Sequence, residues 1–313
     1  MTLETSALLD ALDSAITIPI IPFKEGKIDY DGHAKNIEYL MKNNRLEGGR
    51  KRVISVAGTS LIHHIEPEEQ TRLFDITGQV MGDDGVLMSA VVPYPMRTAG
   101  QLIEEQATLQ RPPDVTLIMP LGGTYSTEGL YEGMMAFAER YAAPSGARLL
   151  YYYRLPRDCA AIMRLLNDSP HFVGVKIGTG PEDVQPMIDG VSDKAMVIWG
   201  IGDRSTKAAE LGAKGHTSGT AVLCTGICDG INNAQRRGDY EEARRYEAAI
   251  NELEEIRFAN GRVYNYSAVV EAMRLSGFRD IEPGDGSGPF NPPVPSAVSE
   301  RIAATVKTLA EYH

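Results

Sequence analysis

The run FVGVKI at residues 172–177 reads as a strand buried on both faces, yet it carries a lysine. Its apolar positions do not alternate with polar ones, which is the pattern of a parallel strand covered by helices on either side. An ammonium placed there is costly unless an acid pairs with it or it gives up its proton. Lys176 is therefore either compensated structurally or kept as a reagent.

Seven further runs surround it, at 16–23, 52–57, 86–92, 115–120, 148–153, 195–200 and 214–219; all but the last, KGHTSG, are rich in Val, Ile, Leu or Tyr. Helical patterns separate them, such as EPEEQTRLFD at 66–75 and TEGLYEGMMAFA at 127–138, with acids in the first turn opposing the helix dipole. Strands alternating with helices pair in parallel through right-handed crossovers. Eight such units predict an α/β fold of the closed (β/α)8 TIM-barrel type. The alternative, an open doubly wound sheet, wants a glycine fingerprint after its first strand, and ITIPIIPF at 16–23 has none.

The barrel is predicted over residues 1–235, and residues 236–313 form a C-terminal helical extension packed on it. Within the extension, GDGSGPFNPPVP at 284–295 is loop by composition.

With 31 Lys plus Arg against 42 Asp plus Glu and no basic block, the chain offers nothing to a phosphate backbone, and nucleic acid is set aside. Its three cysteines are an odd number in a chain too large to need stapling, which suits a reducing compartment. Cys224 and Cys228 form a lone C-x3-C pair, read as ordinary buried thiols rather than a zinc site. The start, MTLETSALLDALD, places acids where a leader needs bases, and no apolar stretch spans a bilayer. A cytoplasmic protein without membrane partners is the expectation.

In a barrel of this type the reacting groups come from the C-terminal ends of the strands. That rule selects Gly58, Thr59 and Ser60 after the second strand, Tyr153 ending the fifth, Lys176 ending the sixth, and His216 and Thr217 in the eighth. A lysine whose pKa is lowered by an apolar setting can attack a ketone, and the resulting iminium withdraws electrons from the adjacent carbon. Tyr153 is placed to carry the proton as the carbinolamine collapses, and the amides and hydroxyls of Gly58–Ser60 to hold a neighbouring carboxylate. The plain alternatives are an inward lysine paired with an acid, tyrosines that merely suit strands, and a simple turn at GTS.

These pieces together resemble the dihydrodipicolinate synthase / N-acetylneuraminate lyase superfamily of Schiff-base-forming barrels. The likeness runs through IPIIPFKEGKID at 18–29, AGTS at 57–60, PLGGTYSTEGLYE at 120–132, YRLP at 153–156, GVK at 174–176 and GAKGHTS at 212–218. It implies that Lys176 forms the Schiff base, Tyr153 is the catalytic tyrosine, and Thr59 and Ser60 grip the carboxylate of pyruvate or a related 2-oxo acid. No metal and no cofactor are implied, and the usual assembly is a homo-oligomer, a tetramer or dimer.

The departures concern the second substrate. Two tyrosines that follow the proline after the fourth strand, one of them a relay inserted into a neighbouring subunit, are replaced by Leu121 and Gly122. An arginine two residues beyond the YxxP proline is replaced by Asp158, with Arg157 one place off. Arg154 and Arg157 flank the mouth, where they suit a distal carboxylate or sugar hydroxyls, and Tyr125 is a candidate replacement for the relay. The expectation is a lyase that cleaves, condenses or dehydrates a 2-oxo (sugar) acid. Its alternatives are condensation of pyruvate with aspartate semialdehyde and, from another class, a non-catalytic barrel that binds small acids.

Overall fold

The computed structural model describes residues 3–313; Met1 and Thr2 lie outside the described residues. Eight strands close into one barrel: β1 (Ala15–Thr17), β2 (Arg52–Ser55), β3 (Gly85–Val91), β4 (Val115–Ile118), β5 (Leu149–Tyr153), β6 (Phe172–Ile177), β7 (Met196–Trp199) and β8 (His216–Ser218). Every pair is parallel and follows chain order, and β1 joins β2 on one side and β8 on the other. The (β/α)8 barrel predicted from the spacing of apolar runs is the observed fold, with further helices at its C-terminal end.

The first predicted strand is the one that differs. Only Ala15–Thr17 enters the barrel, because Pro19 and Pro22 have no N–H to donate to a ladder. The chain then makes a small antiparallel ribbon, Phe23–Lys24 against Lys27–Ile28. Glu25 and Gly26 turn it with φ of 52° and 73°, the sense of twist a two-residue hairpin wants.

Side-chain alternation along the strands separates two layers. On β5, Leu150 and Tyr152 pack with Val173, Met196 and Ile198, while Leu149, Tyr151 and Tyr153 pack with residues of the surrounding helices. Register aligns Tyr152, Lys176 and Ile198 across β5, β6 and β7. Gly200, just past β7, leaves room for the lysine, since a methyl group there would lie 2.8 and 2.9 Å from its Cγ and Cε.

After β8 come the helices Thr225–Arg236, Tyr240–Arg262, Ser267–Ser276 and Ser296–Leu309, and residues 284–295 are irregular as composition predicted. Among the described residues, no helix is long and apolar enough to cross a membrane. Cys224 and Cys228 are buried free thiols.

A buried ion pair ties the barrel to its last helix. Arg52, at the start of β2, meets Asp229 of Thr225–Arg236 through two parallel bonds of 2.6 and 2.7 Å, with both side chains fully buried. The guanidinium also caps the carbonyls of Leu40 and Asn43, and Asp229 accepts from the Arg45 amide, so nearly every donor and acceptor is used. Removing one partner strands a buried charge, whereas removing both does not. Chemical denaturation should show Arg52→Met and Asp229→Leu each losing about 3–5 kcal/mol, with the double variant recovering most of the loss.

Candidate active site

A cavity of about 440 Å³ opens at the C-terminal ends of the strands. A hollow of similar size, about 460 Å³, lies at the opposite end among Leu9, Met196 and Lys214. Position decides between them, because the C-terminal face of this fold is where side chains from separate strands converge.

Lys176 lies on the wall of the first cavity and is 4% exposed. Among the described residues no carboxylate comes within ion-pair distance of its ammonium, so the paired-lysine alternative finds no partner. Its Nζ sits instead 4.3 Å from the centre of the Tyr152 ring. Burial lowers its pKa below 10.5; the Tyr152 phenol opposes that shift, and Arg262 and Arg154 reinforce it.

Tyr152, rather than Tyr153, is the tyrosine that faces the lysine. Its hydroxyl accepts hydrogen bonds from Arg154 and Arg262 at 3.4 and 3.3 Å. Burial alone would raise this phenol, but the charges of Lys176, Arg154 and Arg262 outweigh it and bring the pKa down to about 8. Tyr153 points outward, donating to the Pro156 carbonyl and the Asp183 carboxylate at 3.3 and 3.1 Å, and burial pushes its phenol upward. The reason is the period of two along β5: three consecutive tyrosines cannot share a face, and the register with Lys176 selects the middle one.

Gly58, Thr59 and Thr217 also line the cavity. Ser60 does not: its hydroxyl is turned away and donates to the Pro19 carbonyl at 2.6 Å. Arg157 is likewise absent from the wall. It is exposed and stacks over Tyr125 at 4.6 Å, next to Asp158. Tyr125 donates its hydroxyl to Asp158 at 2.7 Å and takes no part in the cavity. The phenol at the mouth is Tyr94, whose ring occupies the space beside Gly122; a methyl group on that glycine would be 3.2 Å from it.

His63 reaches the cavity wall, and His64 turns out against Phe290 with ring centres 5.0 Å apart. His216 is fully buried behind β8, its Nε2 3.2 Å from Asp203. Ser218 and Thr220 donate to the same carboxylate at 2.9 and 2.6 Å; burial would raise its pKa, but His216, Thr220 and the charge of Arg257 hold it below the usual range.

Sequence reasoning missed Arg257, Arg262 and Asn265, which reach the cavity from the C-terminal helices. Arg262 follows Asn260 and Gly261, and all three have positive φ, of 77°, 49° and 77° respectively. A non-glycine residue held in that region stores strain. The result is a guanidinium directed to the Tyr152 hydroxyl and the Gly178 carbonyl, and among the described residues no acid lies within ion-pair distance of it or of Arg154. The ANGR turn at 259–262 was the local signal; its distance from β5 hid the consequence.

A buried amine, a phenol of lowered pKa and unpaired guanidiniums in one cavity form an electrophile-capturing site with affinity for acids. The model of the Dihydrodipicolinate synthetase family matches residues 11–283. The chain is 26% identical over 251 residues to the 4-hydroxy-tetrahydrodipicolinate synthase of Thermodesulfovibrio yellowstonii, covering 76% of this chain and 80% of that one. It superposes with a TM-score of 0.85 on dihydrodipicolinate synthase from Bacillus clausii, at 20% identity over 96% of this chain and 99% of that one. With the pyruvate complex of the chloride-inhibited enzyme from Acinetobacter baumannii the score is 0.82, at 21% identity over 96% of this chain and 100% of the other. The chain thus belongs to the dihydrodipicolinate synthetase family and is a lyase of the class I aldolase type.

Proposed function

We propose that Lys176 forms a Schiff base with pyruvate or a related 2-oxo acid. The observation that carries this reading is a buried lysine with no acid within ion-pair distance among the described residues, in a cavity that also holds an ionisable phenol. The neutral amine adds to the C2 carbonyl, and the carbinolamine loses water to give the iminium. The iminium then releases a proton from C3 as the enamine forms. Tyr152 is assigned the proton transfers, because a phenol with a pKa near 8 exchanges protons readily close to neutrality.

Two reactions use this common intermediate. In one, a 2-oxo sugar acid is cleaved to pyruvate and an aldehyde, or dehydrated. In the other, the enamine condenses with aspartate semialdehyde, the reading favoured by the names of the relatives. Arg154 and Arg262, which have no acid partner among the described residues, take the place of the arginine absent at Asp158 and support a second substrate with an acidic group. Pyruvate-dependent consumption of aspartate semialdehyde, measured beside pyruvate release from 2-oxo sugar acids, separates the two. A homo-oligomer is the assembly proposed with either.

Incubation with pyruvate and borohydride should give an intact-mass adduct that is absent in Lys176→Ala. Because the amine reacts in its neutral form and its pKa is lowered, the trapping rate should climb with pH and level off below 10.5. An adduct that survives the lysine substitution, or a rate still climbing past pH 10.5, would exclude this assignment.

Tyr152→Phe should lower turnover by about 10²–10⁴-fold, the usual worth of a positioned proton carrier. Tyr153→Phe should leave turnover near wild type and cost about 1 kcal/mol of stability through its bond to Asp183. The opposite ranking in steady-state kinetics would return the role to Tyr153.

A further inference from the structure

The two hydroxyls expected to hold the substrate carboxylate are not both available, since Ser60 is committed to the Pro19 carbonyl. Thr59 remains, and the C-terminal helices surround it with donors. Arg257 of Tyr240–Arg262 is 1% exposed and lines the cavity. It pairs with the buried Glu254 through Nη1, and its Nη2 and Nε donate to the Asn265 side-chain and main-chain oxygens at 2.8 and 3.4 Å. Of the five N–H bonds of a guanidinium, three are thereby engaged and two are left.

The direction of every bond in this chain follows from chemistry. A guanidinium only donates, so it takes the carbonyl oxygen of the Asn265 amide and turns the NH2 the other way. That NH2 donates to Thr59 Oγ1 at 3.3 Å. A hydroxyl that accepts there presents its own proton to another acceptor. Glu254 anchors the far end, accepting from the Asp203 amide at 2.9 Å.

Gly219, after β8, lets the two groups converge. A methyl group there would collide with the Arg257 guanidinium and stand 3.3 Å from Thr59 Oγ1. Thr59 and the free edge of Arg257 therefore border the same small space on the wall that also bears Lys176.

We propose that the carboxylate of the 2-oxo acid is bound by Arg257 together with Thr59, with Glu254 and Asn265 as positioning residues. This rests on the Schiff-base reading and deepens it: Lys176 captures the ketone, and the C-terminal helices select ketones whose carbonyl carbon bears a carboxylate directly. Neutral analogues of the same shape lack the charge the guanidinium requires.

The test separates carboxylate recognition from imine formation. Calorimetry with pyruvate and with methyl pyruvate, on Lys176→Ala protein, reads the first; borohydride trapping on protein that retains Lys176 reads the second. Arg257→Gln alone would strand a buried Glu254, so the variant is Glu254→Gln/Arg257→Gln, with Asn265→Ala as an independent second and melting curves to verify folding. Pyruvate affinity and trapping efficiency should both fall by about 10- to 100-fold in the double variant, as for loss of a charge-assisted hydrogen bond, with methyl pyruvate unaffected.

Asn265→Ala should weaken pyruvate by a smaller factor, also without effect on the ester. Folded variants that prefer pyruvate over its ester as strongly as the parent would overturn the proposal. Arg257-dependent pyruvate binding with no adduct in the parent would uphold the carboxylate site and remove the Schiff-base reading alone.

Discussion

The site is organised around a buried amine. Lys176 is fixed on β6 by the barrel's register and enclosed by its neighbours, and among the described residues no acid lies within ion-pair distance of it. An ammonium so placed is less favourable than the free amine, and the nearby guanidiniums of Arg154 and Arg262 push in the same direction. The Tyr152 phenol is the counterweight, and its own pKa is lowered by Lys176, Arg154 and Arg262. Lysine and tyrosine are thus tuned together: each cation that favours the neutral amine also favours the phenolate. Among the described residues, the titrations of the two groups are coupled to each other and not to a carboxylate paired with the lysine.

Such an arrangement needs rigid support, and the rest of the chain supplies it at some cost. Gly200 gives the lysine stem its room, and three successive residues with positive φ at 260–262 deliver Arg262 to the phenol. A strained turn persists only where its surroundings over-determine it. Here the helix Tyr240–Arg262 is anchored one turn earlier by the buried Glu254–Arg257 pair. The C-terminal segment is for that reason part of the cavity wall, not merely an appendage to a finished barrel.

The architecture was legible because it depends on local pattern. Eight apolar runs with helical spacers specify eight strands, and the lysine in FVGVKI marks the strand that bears the site. Faces were harder. YYY at 151–153 contains an inward tyrosine under any register, but which one depends on pairing with β6, and an irregularity at Leu149/Leu150 intervenes. The YxxP spacing selects Tyr153, whereas the pleat turns Tyr152 inward. Arg257, Asn265 and Arg262 were invisible for a different reason: they meet Thr59 and Tyr152 across about 200 and 110 positions of sequence, where no periodicity connects them.

The two family positions that this chain has lost can be understood as a single rebuilding. Asp158, where an arginine would receive the second substrate, is buried and accepts from Tyr125, while Arg157 stacks on the outside of that ring. A carboxylate in that place, so close to the mouth, would repel an acid if it were free; tied to a phenol and a neighbouring guanidinium, it becomes a strut. Positive charge lines the cavity instead at Arg154 and Arg262, one supplied by the loop after β5 and the other by the end of Tyr240–Arg262, and both guanidiniums reach the Tyr152 hydroxyl.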